Sequence, residues 1–216
     1  MKAKTIVLFG EKGSGKDTVG AILSLLYGFK KESFAGPMKE MVKLAFPSFT
    51  DEHLYGSTRL RETEYPEYPL NPNMIKEGGP KSVTPRLALQ TLGTEWGQGL
   101  YPALWADGLF KRIDKATKEQ NDLYSPTPPY MFWVVTDGRF DIERLSAAKN
   151  GAHTVLLLRG RGTGTDEHRS ESELRNLDDS LFDYRLNNTG PLEDLGGLVV
   201  TMLKDLIKEW DAPWNS

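Results

Sequence analysis

A chain of 216 residues is long enough for one α/β domain with a full core, and its formal net charge of -3 gives no overall positive field of the kind that nucleic acid attracts. With no cysteine, disulfides and thiolate metal sites are excluded, in keeping with a reducing cytoplasm; His53, His153 and His168 lie too far apart in sequence for a zinc site. The opening apolar run, Thr5 to Phe9, is too short for a signal peptide or a membrane span, so the chain reads as soluble and cytoplasmic, with no membrane partner.

Thr5 to Phe9 has the β-branched, apolar character of a buried parallel strand, and Gly10 follows at once. From Lys16 the residues Val19, Ile22, Leu23 and Leu26 recur at helical spacing, which predicts a helix after the glycine loop. "ESFAGP" predicts a short strand and turn, with Pro37 opening a helix at its first position. Residues 57–83 are rich in proline, glycine and charge and predict a long loop without regular elements. Thr84 and Pro85 supply the N-cap and first residue of a helix running into "LALQTLGTEWG", and "ALWADGLFKRIDKATKE" predicts another. "YMFWVVTDGRF" and "HTVLLL" are the second and third strong strands, separated by the helix "IERLSAAKNG". A short strand near Tyr184 to Leu186 and an amphipathic helix from about Leu192 to Trp210 complete the chain. Strand and helix alternate throughout, so the fold class is α/β: three layers with a parallel central sheet, as one domain over 1–216.

"GEKGSGKDT" carries the chemistry most clearly. Gly10, Gly15 and Lys16 fit the phosphate-loop pattern, and strand, glycine loop and helix form the context that pattern needs. Gly10, Gly13 and Gly15 let backbone amides turn inward around phosphate oxygens, and Lys16 supplies positive charge. Asp17 stands where a hydroxyl usually meets Mg²⁺, with Thr18 one position on; a carboxylate there can reach Mg²⁺ directly or through water. Asp137 ends a strong strand, the edge at which open α/β sheets bind ligands, and so is a second candidate for Mg²⁺. Arg139 follows it and could grip a phosphate. The segment 159–172 has the composition of a lid. Gly160, Gly162 and Gly164 allow movement, while Arg159, Arg161 and Arg169 could close over a triphosphate and exclude water.

In the order "GEKGSGKDT", "SFAGPMKEM", "RLALQTLGTEWGQG", "LW", "TDGRF", "HRSE" and "NNTGPLEDL", the chain resembles the phage-type deoxynucleoside monophosphate kinases from about Thr5 to Leu195. That resemblance implies a P-loop kinase with an acceptor-binding insertion over about 50–125, using ATP and Mg²⁺ to phosphorylate a deoxynucleoside monophosphate. Carried over by position, it places ATP at Gly10, Lys12, Gly13, Ser14, Gly15, Lys16, Asp17 and Thr18 and the acceptor at Lys39, Arg86, Gln90 and Glu95, and it matches Asp137 and Arg139 to an Asp-x-Arg-Phe element. Joined to the chemistry of the residues themselves, this gives Arg159 to ATP, Trp96 (as a stacking ring) and Arg139 to the acceptor, catalysis to Lys16, Arg139, Arg161 and Arg169, and the metal to Asp17 and Asp137. A homodimer is compatible with it, and the host cytoplasm is the implied compartment if the gene is phage-borne. Gly36 and Gln98 depart from the family pattern, which often has aspartate and arginine there, and either change bears on acceptor choice or shifts a contact to Arg59 or Arg61. The alternatives are a P-loop kinase of the phosphomevalonate or dephospho-coenzyme A type, or a nucleotide-dependent switch or ATPase module. "LQTLGTEWG" speaks against the first, and the basic lid and lack of an Asn-Lys-x-Asp motif against the second.

Overall fold

The computed structural model describes residues 2–56, 58–123, 130–159 and 173–208. In chain order these form β1 (Lys2–Phe9), α1 (Lys16–Tyr27), β2 (Lys30–Glu32), α2 (Gly36–Ala45), α3 (Asp51–Tyr55), α4 (Thr58–Arg61), β3 (Tyr65–Pro69), β4 (Ser82–Val83) and α5 (Pro85–Gln90). A π-helical stretch, Thr91–Gln98, precedes α6 (Leu104–Leu123), β5 (Tyr130–Gly138), α7 (Asp141–Lys149), β6 (His153–Leu158), β7 (Tyr184–Asn187) and α8 (Leu195–Ile207). They divide into two compact units, one of Ala35–Trp105 and one of the described residues within Met1–Phe34 and Ala106–Ser216.

The larger unit is built on a five-stranded sheet in the order β2-β5-β1-β6-β7. Every neighbouring pair in it is parallel. β1 lies at its centre and is buried from Thr5 onward, which accounts for its unbroken apolar run. On one face Ile6, Leu8, Val134 and Val155 pack with Val19 and Leu23 of α1 and Val199, Met202 and Leu203 of α8. On the other face Val7, Phe9, Val135 and Leu156 pack with Leu109, Phe110 and Ile113 of α6 and Ala147 of α7. Helices thus cover both faces of a parallel sheet, as the alternating pattern predicts. The apolar stripe of α6 places that helix in the sheet's own core, although it lies within the stretch 50–125 expected as an insertion.

The smaller unit departs from the sequence reading in three places. Pro37 is the second residue of α2, which begins at Gly36. Residues 57–83 include regular structure: β3 pairs antiparallel with β4, matching Tyr65 to Val83 and Pro69 to Ser82. Prolines are tolerated because a two-stranded ribbon is all edge. Burial fixes the pairing, since Phe49 meets Tyr65 edge-on at 4.8 Å and Phe46 meets Tyr68 at 5.1 Å. The Glu64 carboxylate also accepts from the amides of Lys81 and Ser82. The third departure is the π-helix. Thr84 caps α5 as expected, accepting from the Leu87 amide at 3.1 Å. Beyond Gln90, however, Trp105 lies against Gly97, and its indole Nε1 donates to the Gly93 carbonyl at 2.8 Å. A side chain that takes a helix carbonyl loosens the regular ladder there.

At Gly97 a β-carbon would come within 2.7 Å of the Trp105 ring. Gly97→Ala should therefore cost about 1–3 kcal/mol through overpacking. Gly108→Ala in α6, where the nearest atom is the end of Arg112 at 3.6 Å, should be neutral or stabilising, because alanine is the better helix former. Urea unfolding of the two variants beside the parent checks the contrast.

Candidate phosphate-binding site

The loop between β1 and α1 takes its shape from its glycines. Gly13 and Gly15 have φ of 79° and 102°, in the left-handed region that side chains resist. Gly15 is also the N-cap of α1 and brings no side chain to the helix's first amides, the groups that attract an anion. The second constraint comes from Asn188, just beyond β7. Its amide Nδ2 donates to the Ser14 carbonyl at 2.9 Å, while its backbone amide donates to the Leu158 carbonyl at 2.7 Å. A β-carbon on Gly15 would lie 2.5 Å from that Nδ2. Asn188 is buried, so its approach requires glycine at position 15 in addition to the backbone conformation.

Lys16 is buried within the loop, its ammonium donating to the carbonyls of Gly10 and of Glu11 (2.9 Å) and to the Ser14 hydroxyl at 3.4 Å. Two further cations meet the same loop. Arg159, directly after β6, donates to the Gly13 carbonyl at 3.4 Å. Arg175 donates to the Glu11 carboxylate at 2.7 Å. Asp17 is exposed in the first turn of α1, Lys12 is exposed and Thr18 is half-buried. Arg161 and Arg169, with most of the expected lid, lie outside the described residues.

Asp137 stands near the end of β5, beside the strand that feeds the loop, where Phe9 is in register with Gly138. Its Oδ1 accepts from the Phe34 amide at 2.9 Å. The backbone that follows is held by Glu143, whose Oε2 accepts from the amides of Arg139 (2.8 Å) and Phe140 (3.0 Å). No motif in the sequence marks Glu143. The signal is an acid three residues into a helix, the position from which a carboxylate reaches back to the helix's entry. Among the described residues no cluster of three or more histidines and acids is placed to hold a metal by itself. Asp17 and Asp137 suit Mg²⁺ in its usual form, bound by one or two carboxylates and completed by phosphates and water.

The expected acceptor residues other than Arg139 all belong to the smaller unit. Lys39 lies over the Tyr55 ring, 4.1 Å from its centroid, and Arg86 pairs with Glu62. Gln90, Glu95 and Trp96 are exposed along the end of α5 and the π-helix.

Burial first, and then the charge of Asp137, pushes the Glu143 carboxyl up to about 8, against the pull of two amides and Arg139. This lies above the ordinary value of 4.5, so the folded chain holds a proton that the unfolded chain releases between those pH values. The stability gained is fully present below pH 4.5 and is lost as pH rises through about 8. Glu143→Gln is neutral and keeps an oxygen for both amides. It should flatten the fall in Tm across that window, and an unchanged slope would place the pH dependence in other groups.

No protein-family model matches the chain. A curated protein of Acanthamoeba polyphaga mimivirus, named "Putative deoxynucleotide monophosphate kinase", is 29% identical over 198 residues, covering 91% of this chain and 94% of that one. Among solved structures, a shikimate kinase from Aquifex aeolicus superposes with a TM-score of 0.46 at 16% identity, over 95% of this chain and 99% of that one. A dephospho-CoA kinase from Campylobacter jejuni gives 0.45 at 14% identity, over 95% and 98%. The resemblance to deoxynucleoside monophosphate kinases carried by the motifs thus extends, through the mimivirus relative, over nine-tenths of the chain.

Proposed function

We propose that the protein is an ATP-dependent kinase that phosphorylates a deoxynucleoside 5′-monophosphate. The observation that carries this reading is the loop itself. Left-handed glycines, the amino end of a helix and a central lysine stand together at the carboxyl edge of a parallel sheet. The mimivirus relative's name supports the acceptor class.

In this reading the loop from Gly10 to Thr18 cradles the phosphates of ATP, and Lys16 offsets charge that builds on the γ-phosphoryl group. An acceptor phosphate oxygen forms a bond to the γ-phosphorus as the bond to the bridging oxygen breaks, leaving ADP and a deoxynucleoside diphosphate. Arg139 and Arg159 add positive charge, joined by Arg161 and Arg169. Asp17 and Asp137 hold Mg²⁺, which when bound draws negative charge from the phosphate oxygens. Lys39 and Arg86 suit a monophosphate, Gln90 and Glu95 suit base edges or ribose, and Trp96 offers a ring for stacking.

A coupled assay of ADP formation across deoxy- and ribonucleoside monophosphates tests the reading. At least one deoxynucleoside monophosphate should stimulate turnover, whereas stimulation by dephospho-coenzyme A or mevalonate phosphate alone would overturn it. Asp17→Asn should lower the rate by roughly ten- to a hundred-fold, on the scale of losing support to a metal, and recover in part at high Mg²⁺. An unshifted Mg²⁺ curve would leave Asp17 with only a helix-dipole role worth ~0.3–1 kcal/mol.

A further inference from the structure

Residues Glu173 to Arg175 form a strut across the sheet edge that no motif marks. Glu173 accepts from the Asp141 amide at 3.1 Å, at the start of α7. Leu174 is buried with Phe9 and Phe182 in the core below. Arg175 reaches the other way and donates through Nε to Glu11 at 2.7 Å. Three consecutive residues thereby join the phosphate loop to the segment after β5.

Glu11 faces two cations by two routes. Its carbonyl accepts from Lys16 and its carboxylate from Arg175. The guanidinium is therefore held within one residue's span of the lysine ammonium, on a loop whose glycine geometry suits phosphate. Glu11 and Arg175 are partly exposed, at 35% and 40%, so another anion can reach the pair. A guanidinium fork binds phosphate oxygens as readily as a carboxylate, and a polyphosphate carries more charge than Glu11.

We propose that Arg175 is a phosphate-binding residue, and that the Glu11 carboxylate holds it in position until a nucleotide's terminal phosphates displace that carboxylate. The inference rests on the nucleotide-kinase reading and adds a residue to it. Leu174, the residue before it, is anchored in the core, so the guanidinium can change partner from a fixed point of attachment. Glu11 thus competes with the ligand, which separates this role from that of a purely structural ion pair.

The test is titration calorimetry of ATP and of inorganic tripolyphosphate, without acceptor, against the parent chain, Arg175→Ala, Arg175→Lys, Glu11→Gln and the double variant Glu11→Gln/Arg175→Ala. Arg175→Ala should weaken both ligands about tenfold or more, the scale of one charge-assisted hydrogen bond, with Arg175→Lys between it and the parent. Glu11→Gln should tighten both ligands a few-fold, and the double variant should match Arg175→Ala. If Glu11→Gln weakens binding as much as Arg175→Ala does, the pair is a structural tie and the inference fails. The same holds if Arg175→Ala and Arg175→Lys bind like the parent. A parent chain that binds neither ligand would instead overturn the kinase reading, and the inference with it.

Discussion

The phosphate loop depends on one buried amide. Asn188 hangs from the end of β7, fixed to the Leu158 carbonyl by its own backbone, and its side chain holds the carbonyl of Ser14. That bond sets the last turn before α1, and it sets it against the sheet instead of against the loop's own flexible residues. The glycine at 15 belongs to the same arrangement, because any β-carbon would strike the amide. A loop with three glycines in its six residues would otherwise lose much entropy on binding a ligand. Anchored at Ser14, it has already lost most of it in folding.

The second loop at the same edge is held in a related way by a different chemistry. Glu143 ties the amides of Arg139 and Phe140, so the backbone between Asp137 and α7 is set before any ligand arrives. Its burial places a protonatable group beside a carboxylate, and the cost shows in its raised pKa. Cations gather where the loop presents carbonyls and a carboxylate: Lys16 on Gly10 and Glu11, Arg159 on Gly13, Arg175 on Glu11. Positive charge from three parts of the chain thus converges on one turn, while the chain as a whole is slightly acidic. In the proposed function it is this local placement, rather than net charge, that would draw phosphate to the loop.

What could be read from sequence follows the range of the interactions concerned. The strands β1, β5 and β6 announce themselves because burial on both faces demands unbroken apolar runs. The loop's glycines and Lys16 are legible because their spacing is local. Asn188 sits in a quoted motif, yet its role is invisible, since its partner Ser14 lies 174 residues away. Arg175 and Glu11 are 164 apart, and nothing local in the sequence links them either. The β3–β4 ribbon is masked by its prolines, since the rings that half-bury Tyr65 and Tyr68 come from Phe49 and Phe46, outside the segment. The π-helix is set by Trp105, whose bond to Gly93 no helical periodicity encodes. Arg161 and Arg169 lie outside the described residues, and their part in the reading rests on composition and resemblance.

If the loop binds a nucleotide's phosphates in a shape imposed from outside it, removing the Asn188 amide must weaken ATP. The measurement is the ATP affinity of Asn188→Ala by calorimetry, on protein whose circular dichroism matches the parent. Leaving the Ser14 carbonyl without its donor should weaken ATP roughly tenfold, on the scale of one unsatisfied buried group. An affinity equal to the parent's, in a chain that still folds, would mean that the loop holds its shape without Asn188.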